Sequence, residues 1–379
     1  MENDTLLYFS MFENLGHFRY LYFILGSLLY CTIVFFNVNI ILVIFIESPL
    51  HQPMYILIAC LSINSLYGTA GFFPRLLTDL LLYSHSITRS GCHVQTFVIY
   101  TYASCEFTIL TLMAYDRFVA ICKPLQYHSI MTPRVLTLMV AMSGIYPMLS
   151  IGLGTIFTAR LRLCGNDLRK LYCHNWIIAK LSCENTTFDN IYGFAVLITT
   201  VFIPFSFILY SYIKIIMICQ KSSKELKSKA YHTCLPHLVT FLNYSITIFC
   251  EMAFSRVENL PPVIAIILSL EFLIIPPLLN PVVYGLNFPE VRRKIQHHLI
   301  FFFSLELEWY NKEKTSSEEQ LSEEKHLVNV REKHFRMQNT LNPEAEGLQQ
   351  QQTMLDSTSF RQEQKAEAAV GKGSPKLDS

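Results

Sequence analysis

Charged residues are scarce in this chain of 379 residues. Lys and Arg number 30 and Asp and Glu 29, so charged side chains make up only 16% of the sequence and the formal net charge is +1. The sequence also has no long basic run interleaved with aromatic residues, which is the electrostatic footprint of a nucleic-acid-binding protein. We therefore expect no nucleic-acid partner and no strongly acidic one.

Sequence patterns of metal sites and of catalytic centres are also missing. The cysteines do not form the close pairs that are typical of zinc ligands. His297 and His298 are adjacent, but they have no sequence neighbours that suggest metal or nucleophilic chemistry. The sequence therefore predicts no metal, no cofactor and no enzymatic activity.

Hydrophobic residues, in contrast, make up 51% of the chain and include 28 Phe. A chain of this make-up cannot bury its apolar surface in one ordinary water-soluble core, so a lipid bilayer is the expected solvent. From Glu306 onward the composition changes and becomes rich in Glu, Lys, Gln and Ser. The sequence thus divides into a membrane body and a polar tail.

Seven stretches are long enough to cross a bilayer, which takes about 20 helical residues for a hydrocarbon core of about 30 Å. They lie at Tyr20–Ile46, Tyr55–Leu77, Cys92–Ile121, Val135–Phe157, Ile191–Ile218, Ala230–Phe254 and Pro261–Leu286. The predicted fold is all-α, a seven-transmembrane helix bundle over residues 20–287. No cleavable signal peptide is visible, so the first span is expected to target the chain itself.

The remaining regions are assigned from their composition. Residues 1–19 are expected to be an extracellular N-terminus, and 288–303 a short amphipathic eighth helix on the membrane surface. Residues 304–379 have the composition of a disordered cytoplasmic tail.

The orientation follows from the basic loops. Lys214 lies near the end of the fifth span, four further Lys between 221 and 229 follow that span, and Arg292, Arg293 and Lys294 follow the seventh. Because positive loops favour the cytoplasmic side, the N-terminus is predicted to be extracellular and the protein to be a multi-pass plasma-membrane protein. Glycosylation sequons at Asn3 and Asn185 lie on the opposite side from these loops.

Four cysteines fall on the predicted outer side, where disulfides can form. Cys92 begins the third span, and Cys164, Cys173 and Cys183 share the loop between the fourth and fifth spans. Four cysteines allow three pairings, and the spacing alone does not choose among them.

One face of the third span carries an unusual set of polar residues. Ile99 and Arg117 are about five helical turns apart, so they lie on one face together with Glu106, which should point into the bundle rather than towards lipid. Asp116 can hold Arg117 at the inner rim as a local ion pair that is made and broken at modest cost. The alternative is an ordinary arginine that extends to the interface.

Five ordered blocks between residues 20 and 298 carry a family resemblance. Asp116-Arg117-Phe118 in "MAYDRFVAICKPLQYHSIM" resembles the Asp-Arg-Tyr segment of rhodopsin-like G-protein-coupled receptors, and more narrowly that of vertebrate odorant receptors. The other blocks are "PLHQPMYILIACLSIN", "SYIKIIMIC", "KAYHTCLPHLVTF" and "PPLLNPVVYGLNFPEVRRKI", and the last contains an Asn-Pro-x-x-Tyr motif. The segment "INSLYGTAGFFPRLLTDLL" resembles fish members of the family.

The chain departs from the family pattern in three places. Phe118 replaces the usual Tyr, and Ser65 stands where most rhodopsin-like receptors have an Asp in the second span. An ion site there would depend on Glu106, helped by Asn64. No cysteine follows Cys250, so the palmitoylated tail cysteine of many receptors is missing.

The resemblance implies roles for individual residues. It pairs Cys92 with Cys173 and Cys164 with Cys183. The implied odorant-binding residues are Tyr100, Ala103, Ser104, Tyr244, Ser245 and Arg256. The implied activation switch comprises Glu106, Asp116, Arg117, Asn280, Pro281 and Tyr284. A cation at Arg256 would suit an acidic odorant, although Arg256 could instead pair with Glu251 or Glu258.

The implied partners are an odorant small molecule, a stimulatory heterotrimeric G protein that raises cyclic AMP, and membrane lipids. Thr315, Ser316 and Ser317 could be phosphorylated by a receptor kinase to recruit an arrestin, and a passive tail is the alternative. A receptor for another small ligand is the alternative, but two classes lack their key residue. No Lys for a retinal Schiff base occurs between Pro261 and Leu286, and Ile99 occupies the position of the Asp of amine receptors. A channel or transporter using Glu106 is a further alternative, which the absence of inverted-repeat signs disfavours.

Overall fold

The computed structural model describes residues 6–10, 16–82, 85–168, 170–221, 223–254, 262–287 and 290–296, together with 325–334 and scattered positions between 304 and 337. Within these residues, seven helices are long and apolar enough to cross a membrane. We call them the first to seventh spans, and their bounds are Phe18–Ile46, Pro53–Leu81, Arg89–Cys122, Pro133–Ala159, Thr187–Gln220, Lys224–Phe254 and Pro262–Asn287. The predicted seven-helix bundle is confirmed.

Local sequence explains where several spans begin. The side chain of Thr88 accepts a hydrogen bond from the Gly91 amide at the start of the third span, and Thr132 does the same for the fourth. Both hydroxyls satisfy an amide that has no partner inside the helix. The second and fourth spans each place a proline, Pro53 or Pro133, in the first turn, where a missing amide hydrogen costs nothing.

The fifth span is not a uniform α-helix. It is α-helical over Thr187–Leu197, forms a π-helical turn at Ile198–Phe202, and continues as an α-helix over Ile203–Gln220. Pro204 is the second residue after the irregular turn. A π-turn widens a helix and often accompanies a functional site, so this segment marks the part of the fifth span that is expected to border such a site.

The outer surface of the bundle is apolar, while its interior holds both apolar and polar side chains. Large apolar side chains face outward, and Phe45 is 81% exposed. Polar side chains such as Asn37, Ser65 and Glu106 are completely buried. This distribution fits a bundle whose outer surface contacts lipid and whose interior satisfies its own polar groups.

A small sheet, which the sequence analysis did not predict, lies at one end of the bundle. Strand β1 (Leu6–Phe9) lies between β2 (Ser86–Thr88) and β3 (Asp167–Leu168), antiparallel to the former and parallel to the latter. The side chains of Leu7 and Phe9 are buried. The all-α prediction is therefore confirmed for the bundle but missed this sheet, which holds part of the N-terminal segment against two loops.

Two disulfides form at the same end. Cys92 pairs with Cys173 and Cys164 with Cys183, with Cα–Cα distances of 5.5 and 5.4 Å. These are the two pairings that the family resemblance implies. The sheet and the disulfides together bring the N-terminal strand, the loop after the second span and the loop after the fourth span to one end.

Residues after the seventh span are described in part. Residues 290–296 are helical, and Glu290 accepts a hydrogen bond from the hydroxyl of Tyr55 at 3.1 Å. Lys294 forms an ion pair with Glu47 at 2.7 Å. Most of the rest of the predicted surface helix, 288–303, lies outside the described residues.

The tail forms a separate compact unit from Ile300 onward. Residues 325–334 are helical and every one of their side chains is exposed. Disorder of the tail over residues 304–379 stays a prediction.

Candidate functional site

A cavity of about 200 Å³ lies inside the bundle near the end that carries the disulfides. The third to seventh spans contribute to its wall. Apolar side chains form most of this wall, and they include Ile99, Phe107, Leu197, Val201, Ile248, Met252 and Phe272. An enclosed, mostly apolar space with a few polar groups is typical of small-molecule sites.

The loop between the fourth and fifth spans forms the roof of this cavity. Cys173 is tied to the third span by its disulfide to Cys92, and its backbone amide donates a hydrogen bond to Gln95 at 3.0 Å. Its two neighbours in the chain, Tyr172 and His174, both line the cavity, and their rings stack with centroids 4.2 Å apart. The disulfide thus fixes two aromatic side chains above the ligand space.

A buried polar group connects this roof to the sixth span. The Tyr172 hydroxyl donates a hydrogen bond to Oε1 of Glu251 at 3.4 Å, and Nε2 of His174 lies 3.5 Å from the same oxygen. Burial, and then the positive charge of Lys170, lower the pKa of His174 to about 3. The imidazole is therefore neutral at physiological pH.

Asp189 supplies a second carboxylate to the cavity wall. It lies in the first turn of the fifth span, where the helix dipole favours negative charge. Its side chain is 8% exposed and lines the cavity, and its Oδ1 atom has no hydrogen-bond partner among the described residues. The fifth span therefore presents a buried, partly unsatisfied carboxylate to the ligand space.

Three of the six residues predicted to bind an odorant line this cavity, namely Tyr100, Ala103 and Ser104. Tyr244 and Ser245 are buried but are not among its lining residues. The Tyr244 hydroxyl instead donates a hydrogen bond to the Ala103 carbonyl at 2.8 Å, so Tyr244 supports the wall from behind. Arg256 lies outside the described residues. A ligand-binding role for any of the six stays a prediction.

Glu106 joins three spans below the cavity. Its Oε2 atom accepts a hydrogen bond from Asn64 of the second span at 2.7 Å, and its Oε1 atom accepts one from Asn280 of the seventh at 2.8 Å. Its side chain is completely buried, as the helical geometry of the third span predicts. Both carboxylate oxygens are thus bound by amides, in an interior where an unpaired carboxylate would be costly.

The predicted Asn-Pro-x-x-Tyr motif connects the seventh span with its neighbours. Pro281 lies within the helix, where it removes a backbone hydrogen bond and allows a bend. One turn later, the hydroxyl of Tyr284 lies 2.8 Å from that of Thr240 in the sixth span. The motif therefore contacts the third span through Asn280 and the sixth through Tyr284.

The predicted ion pair is present at the inner end of the third span. Nε of Arg117 donates to Oδ2 of Asp116 at 2.9 Å, and the guanidinium makes a second contact through Nη2. The side chain of Arg117 is only 15% exposed and that of Asp116 is completely buried. The arginine is thus turned towards its neighbour and does not extend to the surface.

Tyr127, which the sequence analysis did not single out, completes this cluster. Its hydroxyl donates a hydrogen bond to Oδ1 of Asp116 at 2.7 Å. Burial, and then this hydrogen bond, raise the pKa of Tyr127, so the phenol remains a proton donor. Asp116 therefore accepts from a cation on one oxygen and from a neutral hydroxyl on the other.

Other residues of the site were missed for identifiable reasons. Tyr172 and His174 could have been found, because a loop cysteine bonded to the third span must place its neighbours over the bundle. Asp189 and Thr200 reach the cavity only through the packing of the fifth span, which the sequence does not specify. Among the residues that the structure describes, no group of three His, Cys, Asp or Glu side chains is placed to hold a metal ion.

The predicted glycosylation sites are partly described. Asn185 is exposed, and its side-chain oxygen accepts a hydrogen bond from the Thr187 amide at 2.9 Å. Asn3 lies outside the described residues. Glycosylation of both stays a prediction.

Comparison with known proteins agrees with this architecture. The sequence profile described as "Olfactory receptor" matches residues 26–301. Human olfactory receptor 51L1 is 34% identical over 281 residues, which cover 73% of this chain and 89% of the relative. Mouse olfactory receptor 7A42 is 32% identical over 291 residues, covering 76% and 93%, and human olfactory receptor 2AG2 is 35% identical over 277 residues, covering 72% and 87%.

These relatives are mammalian, so the resemblance to fish members stays a prediction. The match covers the second to seventh spans and most of the first, and it includes the cavity, the Asp116-Arg117 pair and the motif that begins at Asn280. Seven apolar helices, a buried polar interior and a profile match over most of the bundle lead to one assignment. The chain belongs to the olfactory receptor family of rhodopsin-like G-protein-coupled receptors, which are multi-pass membrane receptors and not enzymes.

Proposed function

We propose that this receptor binds a small odorant in the cavity below the disulfide-anchored roof and activates a stimulatory heterotrimeric G protein, which raises cyclic AMP. The site of action is the plasma membrane, with the N-terminus outside the cell. Family membership supports an odorant ligand and coupling to a G protein. The type of G protein and the orientation are part of the proposal.

One observation carries the proposal: a single helix, the third span, contributes side chains both to the ligand cavity and to the inner end of the receptor. The third span lines the cavity with Tyr100 and Ser104, and it holds Arg117 at its inner end. Glu106 lies between them and is hydrogen-bonded to two other spans. A change in packing around the ligand can therefore reach the inner rim through one rigid element.

The sixth span is the expected moving part. It contacts the third span through the Tyr244–Ala103 hydrogen bond and the seventh through the Thr240–Tyr284 hydrogen bond. We infer a second state in which the sixth span moves outward, Arg117 leaves Asp116, and the G protein enters the gap. An odorant shifts the balance only as far as its affinity for the two states differs.

Two features support the extracellular position of the N-terminus. Strand β1 pairs with loops at the same end as both disulfides, which form in oxidising compartments. The basic residues Arg292, Arg293 and Lys294 follow the seventh span at its other end. Positive charge there favours the cytoplasm.

Regulation of the tail belongs to the same proposal. Thr315, Ser316 and Ser317 lie in the predicted cytoplasmic region and outside the described residues. Phosphorylation by a receptor kinase would add negative charge that an arrestin can recognise. Membrane lipids surround the apolar outer surface of the spans.

Arg256 remains the predicted site for an acidic odorant. Its proposed pairing with Glu251 has a competitor, because Glu251 already contacts Tyr172 and His174. Changing Arg256 to Leu should abolish responses to carboxylate odorants and spare those to other odorants. Equal loss of all responses would contradict a specific role.

The decisive experiment removes the inner cation. A panel of waterborne odorants first identifies an agonist in a cyclic AMP reporter line, where ligand-evoked current is recorded in parallel. Arg117→Ala should then abolish the cyclic AMP response while surface expression remains measurable.

The matched control is Arg134→Ala, which removes an exposed arginine at the inner end of the fourth span and should retain the response. Full signalling by Arg117→Ala would contradict the proposed switch. A ligand-evoked current without cyclic AMP would contradict coupling to a G protein.

A further inference from the structure

Among the charged side chains that line the cavity, negative charge predominates. Among the described residues that line it, Asp189 and Glu251 are acids, and no Lys or Arg is present. His174 does not offset them, because burial lowers its pKa to about 3 and keeps the ring neutral. The described wall therefore carries negative charge in an otherwise apolar space.

The two acids differ in how far the protein already satisfies them. Glu251 accepts a hydrogen bond from Tyr172 at 3.4 Å, and the positive charge of Lys170 offsets part of the cost of burying this carboxylate. Its carboxylate thus has a neutral donor and a nearby cation. The receptor itself therefore supplies partners for the Glu251 carboxylate.

Asp189 has no such partners among the described residues. Its side chain is 8% exposed, and its Oδ1 atom has no hydrogen-bond partner among the described residues. The guanidinium of Arg160 packs instead on aromatic rings, 5.2 Å from the ring centroid of Phe157 and 5.7 Å from that of Phe188. No ion pair within 4 Å joins Arg160 to Asp189 in the described part of the chain.

A buried carboxylate oxygen without a donor costs free energy, and native structures usually satisfy such groups with water, an ion or a ligand. A cationic ligand would satisfy Asp189 and would also gain from the second acid, because electrostatic interactions are stronger in a desolvated pocket. Ile99, Phe107 and Phe272 provide apolar contacts for the rest of such a molecule.

We propose that this cavity binds a protonated amine with a compact apolar body, and that Asp189 is its principal counter-ion. The acid of amine receptors is absent from the third span, where Ile99 stands, so the fifth span would supply the charge instead. This inference rests on the proposed function, since it assigns a ligand class to the proposed odorant cavity.

The test measures binding directly, so that it does not depend on G-protein coupling. The purified full-length receptor is heated with one of three probes that share a ring and differ in the polar group: cyclohexylmethylamine, cyclohexylmethanol and cyclohexanecarboxylate. A ligand that binds the folded state raises the unfolding temperature. The amine should bind at least about tenfold more tightly than the alcohol, and the carboxylate more weakly than both.

Variants then locate the counter-ion. Asp189→Asn should weaken amine binding by about tenfold or more and leave alcohol binding unchanged, whereas Asp189→Glu should retain the preference for the amine. Glu184→Gln, which removes an exposed acid at the same end of the receptor, should change neither. Glu251→Gln should weaken amine binding less than Asp189→Asn does.

Several results would overturn the inference. They are equal or weaker binding of the amine compared with the alcohol in the unmodified receptor, absence of binding by all three probes, preference for the carboxylate, or an unchanged amine preference in Asp189→Asn. If Asp189→Asn does not fold, the comparison of the three probes on the unmodified receptor still tests whether the cavity prefers an amine. Amine binding without any cyclic AMP response would contradict the proposed coupling and leave the ligand class standing.

Discussion

The side-chain amide of Asn280 donates a hydrogen bond to Oε1 of Glu106 at 2.8 Å, and this bond ties the seventh span to the middle of the third. The other oxygen of Glu106 is held by Asn64 at 2.7 Å. Three spans therefore meet at one buried carboxylate.

Removal of this carboxylate should destabilise the receptor. Glu106→Ala leaves the side-chain amides of Asn64 and Asn280 without their acceptor in a buried site, so we expect a loss of about 2–4 kcal/mol. Glu106→Gln retains one acceptor and should lose less. Thermal unfolding of the purified receptors checks this order, with the exposed Ser129→Ala as a neutral control. An equal unfolding temperature for Glu106→Ala and the unmodified receptor would show that the three spans do not depend on Glu106.

Tyr127 should restrain basal activity. Its hydroxyl donates a hydrogen bond to Asp116 at 2.7 Å in the same arrangement in which Asp116 holds Arg117. Tyr127→Phe removes this bond and keeps the ring, so the paired state loses about 1 kcal/mol and basal cyclic AMP should rise a few-fold. The measurement is cyclic AMP without odorant, normalised to surface expression. Basal signalling that stays the same or falls would contradict a restraining role.

His174 should make the folded receptor sensitive to acid. Its pKa is about 3 in the folded state because of burial and Lys170, against an ordinary value of about 6.5. Between these values the unfolded chain binds more protons, so stability is lost as the pH falls below about 6.5, by about 1.4 kcal/mol at pH 5.5. Above pH 6.5 the effect vanishes.

His174→Gln isolates this contribution, because all other histidines are common to both proteins. The difference in unfolding temperature between the variant and the unmodified receptor should shift in favour of the variant as the pH is lowered from 7.5 to 5.5. Parallel pH profiles for the two proteins would show that His174 is protonated as easily in the folded state as in the unfolded one.

The sequence predicts the bundle because span length is set by bilayer thickness, a constraint independent of tertiary detail. It also predicts the inward direction of Glu106, since a carboxylate facing lipid would be costly. The sheet escapes prediction, because Leu6–Phe9 pairs with two short segments that lie far away in the chain. Strands of two to four residues have no periodicity that could be recognised.

The cavity was predicted less completely than the inner switch. Asp116 and Arg117 are neighbours in the chain, so their pairing is a local event. Tyr244 was expected at the ligand but lies behind Ala103, and Asp189 was not expected there at all. Both outcomes depend on how spans rotate against one another, and the irregular turn of the fifth span changes that rotation.

The second and third spans approach so closely at Gly68 that a Cβ atom there would overlap the ring of Tyr102. Tyr102 is completely buried, and its hydroxyl donates to the Phe272 carbonyl at 3.2 Å, so the ring has no room to move. Gly68→Ala should therefore destabilise the receptor by roughly 1–3 kcal/mol through overpacking. Gly144→Ala is the matched control, because it adds the same methyl group to another span where no atom lies within 4 Å, and it should stabilise by about 0.4–1 kcal/mol through the unfolded state. Thermal unfolding of both variants in the same detergent should shift in opposite directions, and a Gly68→Ala receptor as stable as Gly144→Ala would mean that the two spans are not in contact at this position.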